Sequence, residues 1–170
     1  MSSLNAVLTA WVRGTYAGAN DLSAVQAEFN ALSKSEITLT PGTSANNADL
    51  IFMDTRTIAA SSSENLDMAG SLVDPLGATL TFATIKAIYV KASSGNTNNV
   101  VVGGAGSNTL LGIFSDATDK IIVKPGGVFM WVAPATGAPV TASTGDILLV
   151  ANSGSGTPVT YDIVIIGTSA

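Results

Sequence analysis

The chain has no cysteine and no histidine. Without cysteine there are no disulfides to staple the fold and no thiolate nucleophiles. Without histidine as well, Ser–His and Cys–His catalytic machinery is excluded, and so are zinc sites built on those two residue types. Charge is also scarce. Asp, Glu, Lys and Arg make up 11% of the 170 residues, where a typical soluble domain has about one quarter. The seven basic residues (Arg13, Lys34, Arg56, Lys86, Lys91, Lys120 and Lys124) are scattered, and the net charge is −5. Phosphate contacts need clustered Lys and Arg, so nucleic acid is not expected as a partner. No run approaches the roughly 20 apolar residues of a membrane-spanning helix, so no membrane partner is expected either. The start, Met1-Ser2-Ser3-Leu4-Asn5, carries no basic stretch. The apolar stretch Ala6–Val12 is interrupted by Thr9 and ends at Arg13, so no secretory signal is read there.

Hydrophobic residues, by contrast, make up 46% of the chain. A surface so poor in charge must be largely Ser, Thr, Asn and Gly. Such a surface is readily buried against a neighbour, because little charge leaves water when it is covered. A homo-oligomer is therefore expected. The length suits one domain with a substantial core.

The C-terminal half reads as a series of strands. Thr84–Lys91, Asn99–Val102, Lys120–Lys124, Gly127–Ala133, Asp146–Ala151 and Thr157–Gly167 are rich in Val, Ile, Tyr, Phe or Trp, and Gly, Pro, Asn or Ser clusters bound them. That pattern predicts an all-β fold, an antiparallel β-sandwich of jelly-roll-like type. Val128–Val132 and Val164–Ile166 are apolar without alternation, so both of their faces must be covered. A helix, an arm or a neighbouring subunit would supply the cover; a β-bulge that rephases the strand is the alternative.

The N-terminal half is less regular. Asn5–Thr15 alternates like a strand, with Ala6, Leu8, Ala10 and Val12 on one face and Val7, Thr9, Trp11 and Arg13 on the other. Trp11, on the more polar face, is either an interface anchor or a side chain packed beneath a loop. Ala17–Asp21 reads as a turn. Leu22, Val25, Phe29 and Leu32 follow helical spacing, with Asp21 or Ser23 as cap, though an extended arm fits the same stretch. Strands are expected at Glu36–Thr40, Ile51–Met53, Arg56–Ile58 and Glu64–Ala69. Residues 1–45 are thus an N-terminal strand and arm region, with an arm or one short helix, and residues 46–170 the β-sandwich core of a single domain.

Chemistry is sought and mostly not found. The 12 carboxylates leave two-carboxylate hydrolysis formally open. However, Asp116, Asp119, Asp146 and Asp162 are not paired on any expected cleft. Gly103-Gly104-Ala105-Gly106 lacks the Lys-Ser/Thr of a phosphate loop and reads as a tight connection. Asp116-Ala117-Thr118-Asp119 offers too few oxygens for calcium and reads as an Asx-turn. Pro125-Gly126-Gly127 reads as a turn, and Asn152–Gly156 as a hairpin loop. No catalytic residue, metal ligand or cofactor is assigned. Arg56, between Thr55 and Thr57, is expected to pair with Glu64 or Asp67, either across a subunit boundary or as a solvated pair worth little.

Several stretches carry a family likeness. They are Asp54–Ser61, Glu64–Gly70, Phe82–Ile88, Gly95–Gly104, Lys124–Gly127, Gly145–Leu148 and the ending Val159–Gly167. Together, over roughly residues 45–170, they resemble small virion structural proteins of tailed double-stranded DNA bacteriophages. The resemblance implies a non-enzymatic β-sandwich subunit of the particle, made in the bacterial cytoplasm. Its leading role would be a capsid decoration or cement protein. It would bind the major capsid protein from outside as a homo-oligomer, most simply a trimer. The alternative is a tail or head-fibre component that attaches to the host surface. Trp11 and Arg13 in the arm and Arg56 near a protomer boundary are the expected interface residues.

Overall fold

A computed structural model describes residues 3–19, 24–30 and 34–170. The described residues contain strands and turns but no helix. In chain order the strands are β1 (Ala6–Ala10), β2 (Arg13–Ala19), β3 (Ala24–Asn30), β4 (Ser35–Pro41), β5 (Asn47–Ala48), β6 (Leu50–Ile58) and β7 (Ser63–Asp67). There follow β8 (Thr84–Ala92), β9 (Val100–Gly103), β10 (Lys120–Val123), β11 (Val128–Val132), β12 (Ala138–Pro139), β13 (Ile147–Asn152) and β14 (Val159–Thr168).

Two sheets form the sandwich. The larger runs β11-β8-β14-β6, with β12 added to β8, and the smaller runs β10-β9-β13-β7. Every strand pair within them is antiparallel. The main core lies between them. Ile88 and Val90 of β8 and Tyr161, Ile163 and Ile165 of β14 meet Val100, Val102, Leu148 and Val150 of the smaller sheet. Alternation along each strand puts these residues on one face, as the period of two requires. The chain crosses between the two sheets at most connections, which is the jelly-roll way of linking strands.

A third layer covers part of the larger sheet's outer face. The small sheet β1-β4-β5 packs Leu39 and Ala48, with Leu4, Ala6, Leu8 and Ile37, against Ala87, Val132, Val164 and Ile166. The unalternating run Val164–Ile166 therefore has its two covers, the second supplied by the chain's own N-terminal arm. A bulge also operates here. Ile166 pairs with Ala87 but Gly167 pairs with Ile85, which leaves Lys86 of β8 out of the ladder. The extra residue rephases β8, so both Ile85 and Ile88 reach the main core. Lys86 is buried, and its ammonium donates to the Ala135 carbonyl at 3.0 Å.

The arm continues beyond this layer. Strands β2 and β3 pair along their whole length, Arg13 with Asn30 through Ala19 with Ala24, and form a separate two-stranded sheet. Two sequence expectations are corrected here. Residues 24–30, expected on a helix through Val25 and Phe29, form strand β3, while Asp21, Leu22, Ser23 and Leu32 of that segment lie outside the described residues. The turn expected at Ala17–Asp21 does not begin at Ala17, because β2 runs on to Ala19. The same stretch reads Val25, Ala27, Phe29 in alternation with Gln26, Glu28, Asn30, and pairing with β2 selects that period.

The turns follow their chemistry. Asp74 opens a turn in which its carboxylate accepts the Leu76 and Ala78 amides, with Gly77 at φ 92°. Asp116 accepts the amide and the hydroxyl of Thr118, an Asx-turn as expected. These two bonds, the amide's first, hold its carboxyl below the usual range. Asn152–Gly156, expected as a hairpin loop, instead joins β13 of one sheet to β14 of the other. The buried Asn152 side chain holds this crossing by donating to the carbonyls of Ile58, Ala59 and Thr157.

Candidate functional site

The described arm exposes apolar and aromatic side chains close together along the chain. Trp11 and Val12 link β1 to β2, and they are 52% and 65% exposed. Tyr16 in β2 is 77% exposed, and Val7 in β1 also faces solvent. Arg13 stacks its guanidinium over the Trp11 ring, 4.8 Å from the centroid. A cation at that distance is attracted by the ring's negative face and holds the indole in one orientation. Both residues named from sequence are thus in contact, and the packing of Trp11 beneath a loop is set aside: half of the residue is open. Sequence reading placed Val12 on a face with Ala6 and Leu8 and passed over Tyr16. Leu4, Ala6 and Leu8 are partly buried against the larger sheet, whereas Ala10 and Val12 of the same alternation are exposed.

Arg56 belongs to a different cluster. Positions 52, 54, 56 and 58 of β6 share the face turned to the smaller sheet, where Phe52 and Ile58 enter the core. β6 is the last strand of the larger sheet and β7 the last of the smaller. Arg56 bridges these edges. Its Nε and Nη2 donate to one oxygen of Glu64 in β7, at 2.7 and 2.6 Å, and its Nη1 donates to Asp54 at 2.9 Å. Tyr161, paired across the ladder with Arg56, donates its hydroxyl to the other Glu64 oxygen at 2.8 Å. The expected ion pair with Glu64 therefore closes within one chain. Asp67 takes no part; its carboxylate accepts the Ala69 amide.

The electrostatics follow from this geometry. The hydrogen bond to Glu64 raises the guanidinium's pKa further, against partial desolvation. Burial, then the Glu64 carboxylate, pushes the Tyr161 phenol far above its ordinary value, so it stays a neutral donor. Asp54 and Glu64 are the two carboxylates brought close to one group, and both are engaged by Arg56. Of the other carboxylates weighed for hydrolysis, Asp162 accepts the Thr55 hydroxyl at 2.7 Å, and the buried Asp146 accepts the Ser143 amide. Among the described residues no three His, Cys, Asp or Glu side chains gather where a metal ion could be held. Among them, too, no helix is long and apolar enough to cross a membrane. The chain matches no family model and no curated protein sequence.

Proposed function

We propose that the chain is a structural subunit of a bacteriophage particle, a decoration or cement protein that binds the outside of the major capsid protein shell. The observation that carries this reading is the exposed arm. A sandwich with no histidine or cysteine extends a two-stranded ribbon, with Trp11 and Arg13 locked together and facing solvent at its root. Trp and Arg are the residue types that most often anchor protein interfaces, because each buries a large area around a polar handle. Attachment works through avidity. Several protomers, a trimer in the simplest case, each contact the shell, so weak contacts add and neighbouring shell subunits are bridged.

The test is the copy number of this chain in purified virions, measured against the major capsid protein by quantitative mass spectrometry. A ratio near one is expected. A few copies per hundred capsid subunits would move the chain to the tail or fibres and to host attachment, and absence from virions would overturn the structural role. Trp11→Ala is expected to weaken attachment to decoration-free particles while leaving the unfolding midpoint nearly unchanged. A collapse in stability with attachment intact would remove Trp11 from the interface.

A further inference from the structure

We infer that two copies of the chain pair edge to edge through β6, antiparallel about a two-fold axis at Thr55, so that Asp54 of each copy faces Arg56 of the other. The contact goes beyond the decoration reading and does not depend on it.

β6 is the last strand of the larger sheet, so one of its edges has no neighbouring strand. Among the described residues, the backbone of residues 53–57 makes no hydrogen bond outside its ladder with β14. Every second residue of that stretch therefore turns an N–H and a C=O away from the sheet. The side chains are equally open. Met53, Asp54, Thr55 and Thr57 are exposed, and Arg56 is half-buried. A depression of about 370 Å³ runs beside them, lined in part by Met53, Asp54 and Arg56 on one side and Ser71, Leu72 and Val73 on the other. An open edge of this kind is a template for one more strand.

The sequence of β6 selects the occupant. With residue 55 opposite itself in an antiparallel pair, Asp54 faces Arg56, Met53 faces Thr57 and Phe52 faces Ile58. Opposite charges then meet twice, once on each side of the axis. A slide of two residues puts Asp54 opposite Asp54 in one direction and Arg56 opposite Arg56 in the other. A slide of one turns the core face of one strand to the wrong side. In-register parallel pairing opposes both like charges. One register of β6 with itself is thus favoured, and its neighbours are penalised. The adjacent edge strand β7 carries Glu64 and Asp67 and no basic residue, so it has no such match with a second β7.

Arg56 has the capacity for a second acid. Glu64 takes its Nε hydrogen and one on Nη2, and Asp54 of the same chain takes one on Nη1. A guanidinium has five N–H groups, so one remains on each terminal nitrogen. The other Asp54 oxygen has no partner among the described residues. The partner's Asp54 can accept the remaining hydrogens while the bonds to Glu64 stay in place. The larger sheet then runs through both copies without a break in its hydrogen bonding.

The absence of native cysteine lets the register be tested directly. Directly opposed residues of an antiparallel pair lie about 4.5–5.5 Å apart at Cα, within the span of a disulfide. Mild oxidation of Thr55→Cys should therefore give a covalent dimer of about twice 17.1 kDa. Thr57→Cys is the control. Position 57 faces position 53, so the two copies of position 57 lie about 13 Å apart along the strands, beyond the reach of a disulfide. Both threonines are exposed, so neither change threatens folding. In untreated protein, Asp54→Lys should weaken dimerisation about tenfold or more by analytical ultracentrifugation, because two like-charged pairs replace two opposite ones. A wild-type protein that sediments as a monomer or a closed trimer would overturn the pairing and leave the edge to a strand of another protein. Equal linking at positions 55 and 57, or a dimer indifferent to Asp54→Lys, would overturn the register. Each of these outcomes stands whatever the copy number in virions proves to be.

Discussion

Tyr161 carries more of the molecule than its place in the sequence suggests. Nothing in Val159-Thr160-Tyr161-Asp162 marks it as other than a core aromatic, and its partners Arg56 and Glu64 are brought to it only by the β6–β14 register and the facing sheet edge. Sequence reading could name Glu64 as a partner for Arg56 because the two are close along the chain. It could not find Tyr161 or the intrachain closure, which depend on long-range pairing. Tyr161→Phe removes a hydrogen bond to a charged acceptor and should cost roughly 1.5 kcal/mol in urea unfolding. The sign of its pH effect follows from the raised phenol pKa. The native state keeps the proton after the unfolded chain loses it, so the contribution is complete below about pH 10 and declines as pH rises above that value. Wild-type stability should thus fall more steeply than that of Tyr161→Phe between pH 9 and about 11, and parallel curves would refute the assignment. Gly167 is a second residue whose role is set by its neighbours. An added Cβ would collide with the Thr84 carbonyl and the Phe82 ring beside the bulge. Gly167→Ala should destabilise by about 1–3 kcal/mol, as overpacking of a rigid core does.

At the scale of elements, the strands of the C-terminal half were legible because each is bounded by turn residues and buries one face against the main core. β8, β9, β10, β11, β13 and β14 fall where their composition places them, within one or two residues. The N-terminal half was harder for a physical reason. A seven-residue segment such as Ala24–Asn30 satisfies a spacing of four at Val25 and Phe29 and a spacing of two at Val25, Ala27 and Phe29. Only its pairing with β2 separates the two. The connection Asn152–Gly156 has hairpin composition, but its neighbours lie in different sheets, and loop residues do not encode which sheet the next strand joins. The arm is the element whose importance was partly visible: the unalternating β14 demanded a second cover, and β1, β4 and β5 provide it. Leu39 is the centre of that cover and is fully buried. Leu39→Ala should cost about 2–4 kcal/mol, the range for a buried leucine whose cavity cannot fully collapse. If the arm layer were an accessory laid on a finished sandwich, the same change would leave the global unfolding midpoint in place, and circular dichroism during denaturation distinguishes the two.

For the whole molecule, the missing residue types predict how stability depends on pH. Histidine and cysteine are the side chains that ordinarily titrate between the carboxylates near pH 4 and tyrosine and lysine near pH 10. This chain has neither. Stability depends on pH only where the folded and unfolded states bind different numbers of protons, and no histidine or cysteine is present to supply a slope across the neutral range. The limits of the plateau are set by opposite signs. On the acid side Asp116, held below its ordinary range by the Thr118 amide and hydroxyl, contributes stability that is present above the unfolded carboxylate value and lost as pH falls. On the alkaline side the buried Tyr161 phenol loses its contribution as pH rises past the unfolded value. A thermal midpoint flat from about pH 6 to 9, bending down on both sides, is the expected profile, and differential scanning calorimetry in buffers of matched ionisation enthalpy measures it. A sharp transition inside that window could not come from a histidine or a cysteine of this chain.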